Sequence, residues 1–187
     1  MTVTLLCPGP SLSRFPGTKN LTIAVNRACL NKQVGPSYAT TLGKVSGFRC
    51  DWWACSDYPM IRDYEALCRP ALFTNGNTRT DITGKFSYLF SEILAKEELY
   101  EDFNQHKIPW TLYTATSALV LAAHLGATEI EVWGADFTGV ADWDGHEYQW
   151  QGNEAWRTRG GDKWDGQVKN WAETCKALRA RGIQIIR

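Results

Sequence analysis

The sequence predicts an α/β fold with a mainly parallel sheet and helices on both of its faces. Three observations lead there. Short apolar runs alternate with helix-like stretches, the order that builds strand–helix–strand units. Several runs are continuously apolar instead of alternating, as in strands buried on both faces. Most runs stop at Gly, Pro, Asn or Asp, residues that turn a chain.

Taken in order, residues 3–7 form the first strand, stopped by Pro8-Gly9-Pro10. Residues 21–25 form the second. Residues 52–56 form the third, ending at Asp57, and residues 71–74 the fourth, ending at Asn75-Gly76-Asn77. A weaker fifth covers residues 108–113. Residues 129–133 form a sixth, ending at Gly134-Ala135-Asp136, and residues 183–186 the last. One helix spans residues 115–125, rich in Ala and Leu and stopped by Gly126. A second spans residues 164–181. Val168, Trp171, Cys175 and Leu178 recur there at spacings of three and four, which sets them on one face. Lys169, Glu173, Lys176, Arg179 and Arg181 fall outside that face, and Gly182 ends the helix. A third helix is expected within residues 85–103. Residues 139–166 have no period and are rich in Gly, Asp, Trp and Arg, so they are expected to form an irregular lid or insertion. The 187 residues fit one domain, residues 1–187.

Composition narrows the function. Twenty Lys and Arg balance twenty Asp and Glu, so the net charge is zero and a protein built to coat nucleic acid is not expected. No apolar run approaches the roughly 20 residues of a membrane span. The first residues carry no positive charge and read as a strand, not a signal peptide, which points to the cytoplasm. The six cysteines contain no C-x-x-C pair and are expected as reduced, mostly buried thiols. Tryptophan is in excess, nine against two Met, and three of the nine (Trp143, Trp150, Trp156) lie in the irregular segment ahead of the second helix.

Four motifs stand at strand ends, where doubly wound sheets bind ligands. In Cys7-Pro8-Gly9-Pro10-Ser11-Leu12, a glycine lets a ligand approach the backbone. The N–H groups of Gly9, Ser11 and Leu12 would face a phosphate; the motif is equally a tight turn with Ser11 as a cap. Asn26 offers an amide that donates and accepts, and Arg27 a guanidinium for phosphate; a capping Asn and a surface Arg are the plainer reading. Asp57 and Asp136 each place a carboxylate after a strand, as a catalytic group or as a helix cap.

Together these motifs resemble two related groups: the archaeal 6-hydroxymethylpterin diphosphokinase-like family, and the bacterial sialyltransferases with a Rossmann-like core. Short phage-encoded proteins of unknown role look similar. The matching stretches are residues 7–12, 25–28, 51–57 and 114–136. The resemblance implies a Rossmann-like transferase using a nucleotide or nucleotide-sugar donor. Gly9, Pro10, Ser11 and Leu12 would line the donor phosphate, Asn26 would contact the nucleotide or the transferred group, and Thr114 and Ser117 would add hydroxyls. Asp136 would stand at the neighbouring strand end. Pro8 departs from the Asn of the sialyltransferase motif.

The unmatched segment adds Asp142-Trp143-Asp144-Gly145-His146-Glu147. Asp142 and Asp144 have the D-x-D spacing that holds Mg²⁺ against a diphosphate, and His146 or Glu147 would serve as general base; an acidic, solvated loop is the plainer reading. Arg157, Arg159 and Lys163 would close on the donor's phosphates. The expected function is a transferase with a nucleotide-activated donor, foremost a glycosyltransferase, acting on a hydroxyl acceptor. The alternatives are a Mg²⁺-dependent diphosphokinase acting on a small alcohol, and a non-catalytic nucleotide-binding phage accessory or assembly protein. A homo-oligomer is compatible with each, and a phage protein would act in the host cytoplasm.

Overall fold

The computed structural model describes residues 1–30, 50, 52–55, 71–75, 88–90, 113–138, 141–145 and 160–187. The chain is an α/β protein built on one seven-stranded sheet. Its strands are β1 (Thr2–Leu6), β2 (Leu21–Val25), β3 (Trp52–Ala54), β4 (Ala71–Asn75), β5 (Tyr88–Phe90), β6 (Glu129–Trp133) and β7 (Gln184–Ile186). Their order is β5-β4-β3-β2-β1-β6-β7, and every neighbouring pair is parallel. The chain therefore builds outward from β1 to β5, then returns to the other side of β1 for β6 and β7. Strand order reverses between β1 and β6, and their carboxyl ends mark the topological switch point.

Two α-helices, α1 (Thr114–His124) and α2 (Gly160–Ala180), pack on one face. Leu119 and Leu121 of α1 and Leu178 of α2 are fully buried against the sheet residues Val3, Leu5 and Ile130. The helix α1 is buried on nearly every side, which is why Ala and Leu dominate it. The other face is covered, among the described residues, by two 3-10 turns, Pro10–Arg14 and Asn26–Leu30. They bring Leu12, Phe15, Ala28 and Cys29 against Leu6, Ala24 and Trp53. Of the helices expected on both faces, those among the described residues pack on one. Toward the amino ends of the strands this second face turns polar. Thr4 is fully buried; its hydroxyl donates to Glu131 at 3.2 Å and accepts from the Asn20 amide at 3.2 Å.

Several expected elements shift. The segment read as a third helix contains β5, whose Tyr-Leu-Phe sequence pairs with β4. The rest of residues 85–103, and residues 108–112 of the weak fifth strand, lie outside the described residues. The third strand stops at Ala54. Helix α2 begins at Gly160, so residues 160–166 are helical, not irregular. Three glycines hid that start, because glycine disfavours helix interiors. Gly166 has a packing reason: a Cβ there would lie 2.6 Å from the Tyr113 hydroxyl. Val168 is 47% exposed, because the buried stripe runs through Trp171, Thr174, Cys175 and Leu178 and, toward the helix start, through Trp164. A straight helix drifts against a seven-residue repeat. At the sheet edge, the Arg179 guanidinium donates to the Ile185 carbonyl at 3.3 Å. No helix among the described residues is long and apolar enough to cross a membrane.

The turns after β1 and β6 are pressed together. A Cβ on Gly134 would lie 1.9 Å from the Cys7 carbonyl oxygen, and its φ of +71° is already left-handed. A Cβ on Gly9 would lie 2.4 Å from the Gly134 carbonyl oxygen. Gly126 also has positive φ, +88°, but open space around it. Gly134→Ala is expected to lose about 4 kcal/mol or more, from clash added to strain. Gly126→Ala should lose only about 1–2 kcal/mol from strain alone. Urea denaturation of the two variants measures the gap, and equal losses would refute the packing argument.

Candidate functional site

The switch point is built from backbone first. The Cys7 N–H donates to the Trp133 carbonyl at 2.7 Å, and the Gly9 N–H to the Gly134 carbonyl at 2.8 Å. These bonds carry the β1–β6 ladder one turn past the strands. After β1 the chain enters the 3-10 turn on one face; after β6, Phe137 packs on the other face and Trp143 returns to the face of the turn. The carboxyl ends beside a switch point are where doubly wound sheets bind ligands.

Asp136 ties the two turns. Its Oδ2 accepts from the Ser11 N–H at 2.7 Å, and the Ser11 hydroxyl in return accepts from the Gly134 N–H at 3.2 Å. The Leu12 N–H donates to the Gly9 carbonyl at 3.0 Å. All three N–H groups expected to face a phosphate are therefore engaged by protein oxygens, and the Asp136 carboxylate stands where an anion would. Gly9 serves close packing against Gly134 and Asp136. Pro10 is exposed beside it.

Phe137 follows in a left-handed conformation, φ +52°, rare for a bulky residue. Its ring is held by Trp171 at 5.2 Å and Trp164 at 6.4 Å between centroids. The Arg187 guanidinium lies 6.0 Å from the ring centroid and also donates to the Ala135 carbonyl. Packing thus fixes the backbone that aims Asp136 at Ser11. No sequence pattern marks a Phe that will take positive φ.

Asn26 ends β2 with φ +49°, a region Asn tolerates better than most residues. Its carbonyl accepts from the Trp53 indole at 2.9 Å. Its side-chain Oδ1 is buried and has no hydrogen-bond partner. A buried acceptor left unpaired costs about 1–3 kcal/mol, so its persistence calls for an explanation.

Arg27 meets both aspartates of the D-x-D motif. Its Nε lies 2.8 Å from Asp142 Oδ2, and its second guanidinium nitrogen 2.6 Å from Asp144 Oδ2. The Asp142 side chain is 2% exposed, the Asp144 side chain 29%. The expected metal pair thus meets a guanidinium in this structure. The pair does not fit Mg²⁺ as arranged, because a guanidinium already balances its charge. Among the described residues no group of three His, Cys, Asp or Glu is disposed to hold a metal. Between the aspartates, the Trp143 N–H donates to the Pro8 carbonyl at 3.0 Å, and its indole Nε1 is buried without a partner.

The structure thus gathers Gly9, Ser11, Asn26, Arg27, Asp136, Asp142 and Asp144 at one sheet edge. Thr114 lies in the first turn of α1. Ser117 is fully buried one turn further on. Lys163 falls within α2. Asp57, His146, Glu147, Arg157 and Arg159 lie outside the described residues.

Cys7 lies beneath the site. Burial pushes its thiol from an ordinary 9.0 up to about 12; Asp136 adds to the rise, and Arg187 opposes it. Burial also raises Cys175, against the pull of Arg179 and Arg187. Both thiols stay protonated in the folded chain at a pH where the unfolded chain has released those protons. Stability contributed this way is complete below about pH 9 and lost above it, by up to about 1.4 kcal/mol per pH unit for each thiol. Urea unfolding from about pH 8 to 10.5 should show that fall. Cys7→Ala should flatten it in part, leaving the share of Cys175. An unchanged slope would contradict the assignment.

No protein-family model matches this chain, and no curated protein or solved structure is similar to it.

Proposed function

We propose that the switch point binds a nucleotide-activated donor and that the protein is a transferase of the glycosyltransferase type with a Rossmann-like core. The observation that carries this reading is Asn26. Its left-handed backbone is held by Trp53 and its buried Oδ1 lacks a partner, at the edge where parallel sheets bind ligands. An acceptor in that state suits a ligand hydroxyl or a base N–H. The motif resemblance at residues 25–28 and 114–136 agrees with a nucleotide, while the N–H groups of residues 9, 11 and 12 are taken by protein oxygens.

The chemistry assigned to this chain's residues follows from their positions. Asn26 orients the ligand. Asp136, kept in place by Ser11, is the carboxylate that takes the proton of the acceptor hydroxyl as its oxygen bonds to the anomeric carbon of the donor sugar, while the C–O bond to the nucleotide breaks and the nucleotide leaves with that electron pair. No step is assigned to Mg²⁺, since Asp142 and Asp144 hold Arg27. His146, Asp57, Arg157 and Arg159 remain candidates for the same reaction.

A thermal-shift panel of CMP, UDP, GDP, ATP and sugar nucleotides at about 5 mM tests the reading. A ligand at 100 times its Kd stabilises by about 2.7 kcal/mol, a shift of several degrees. Asn26→Gly keeps the backbone conformation and removes the carboxamide, so it should abolish the shift without unfolding the protein. If no nucleotide raises the melting temperature, the proposed function is refuted.

A further inference from the structure

Residues 141–145 cross the switch point. They follow the end of β6, and their ties are to the other strands: Trp143 N–H to Pro8 just after β1, and Asp142 and Asp144 to Arg27 just after β2. Gly145, at φ +80°, closes a turn in which its N–H donates to the Asp142 carbonyl at 3.0 Å. Among the described residues three ties hold this compact strap, and Ala141 at its start forms a β-bridge. Two of the three ties converge on a single side chain.

The strap carries an unmet demand. Trp143 Nε1, a donor only, is buried and unpartnered within it. Asn26 Oδ1, an acceptor, is buried and unpartnered on the residue before Arg27. Asn26 adjoins Arg27 in the chain, and Trp143 stands between the two aspartates that Arg27 meets. A protein segment in a purely structural contact would be expected to satisfy such groups or expose them to water.

We propose that residues 142–145 are a latch at the switch point, held shut by Arg27 and opening as a unit from the bridged Ala141 to admit the ligand. This rests on the reading of the switch point as the ligand site. Opening breaks both Arg27 pairs and the Trp143–Pro8 bond while leaving the sheet intact. Closing over a ligand gives the Trp143 indole its acceptor. Arg27 is accordingly a positioning residue that acts through the strap.

Hydrogen exchange of the Trp143 amide reports the latch directly, since that amide is bonded to Pro8 and not to Arg27. Site-resolved exchange by NMR should find it opening locally, faster than the amides of Leu5 and Val132 in β1 and β6. Arg27→Gln should speed it at least about tenfold relative to those strand amides. Asp144→Asn, which removes only the more exposed pair, should give a smaller acceleration and carries the test if Arg27→Gln does not fold. The latch is overturned if Trp143 exchanges only at the strand rate, or if both variants leave its rate relative to the strands unchanged. UDP and CMP separate this idea from the proposed function. A nucleotide that raises the melting temperature and slows Trp143 exchange supports the latch. One that raises the melting temperature without slowing Trp143 overturns the latch and leaves the nucleotide reading standing. No nucleotide shift, with Arg27→Gln still accelerating Trp143, overturns the nucleotide reading and supports the latch.

Discussion

The contact between the turns after β1 and β6 is the constraint on which the site depends. Backbone meets backbone there with no room for a single Cβ at Gly9 or Gly134. That closeness lets two peptide bonds extend the β1–β6 ladder beyond the strands and brings Asp136 within reach of Ser11. It also sets Pro8 where the strap can attach. A looser approach would leave N–H groups of the first turn unpaired and Asp136 without an anchor. The glycines here serve proximity between two chain segments first, and only through that any ligand.

Charge at the site is arranged in small closed sets. Asp136 is met by a backbone donor, and Asp142 and Asp144 by one guanidinium. Buried or half-buried carboxylates need such partners, since desolvation without them costs several kcal/mol. What is left unpaired is neutral: a carboxamide oxygen and an indole N–H. Among the described residues such groups suit a hydroxyl or an N–H partner more than a bare phosphate.

The sheet could be read from the sequence because its strands are short apolar runs closed by turn residues. β2 and β6 begin and end where those runs do. The helix boundaries were harder. Gly160, Gly161 and Gly166 argue against a helix locally, and only the Tyr113 contact explains the last of them. β5 was masked by a stretch that suits a helix as well as a strand. At the site, the motifs located Gly9, Ser11, Asn26 and Asp136 correctly at one sheet edge. They did not reveal that these residues would bond to one another. Nor did the D-x-D spacing show that Arg27, over a hundred residues earlier, would claim both carboxylates. Such pairings depend on which strands become neighbours, and spacing along the chain carries no trace of that.

The Arg179 contact at β7 bears on how the protein behaves in a crowd. β7 is a terminal strand of the sheet, and a bare strand edge is a template on which another chain can continue the ladder. Ile186 adds an exposed apolar side chain there. The guanidinium on the Ile185 carbonyl places a charge on that edge and occupies one of its acceptors. An incoming strand must first displace it and strip water from a cation. The charge thus stands where an added strand would have to pair, on a strand of three residues.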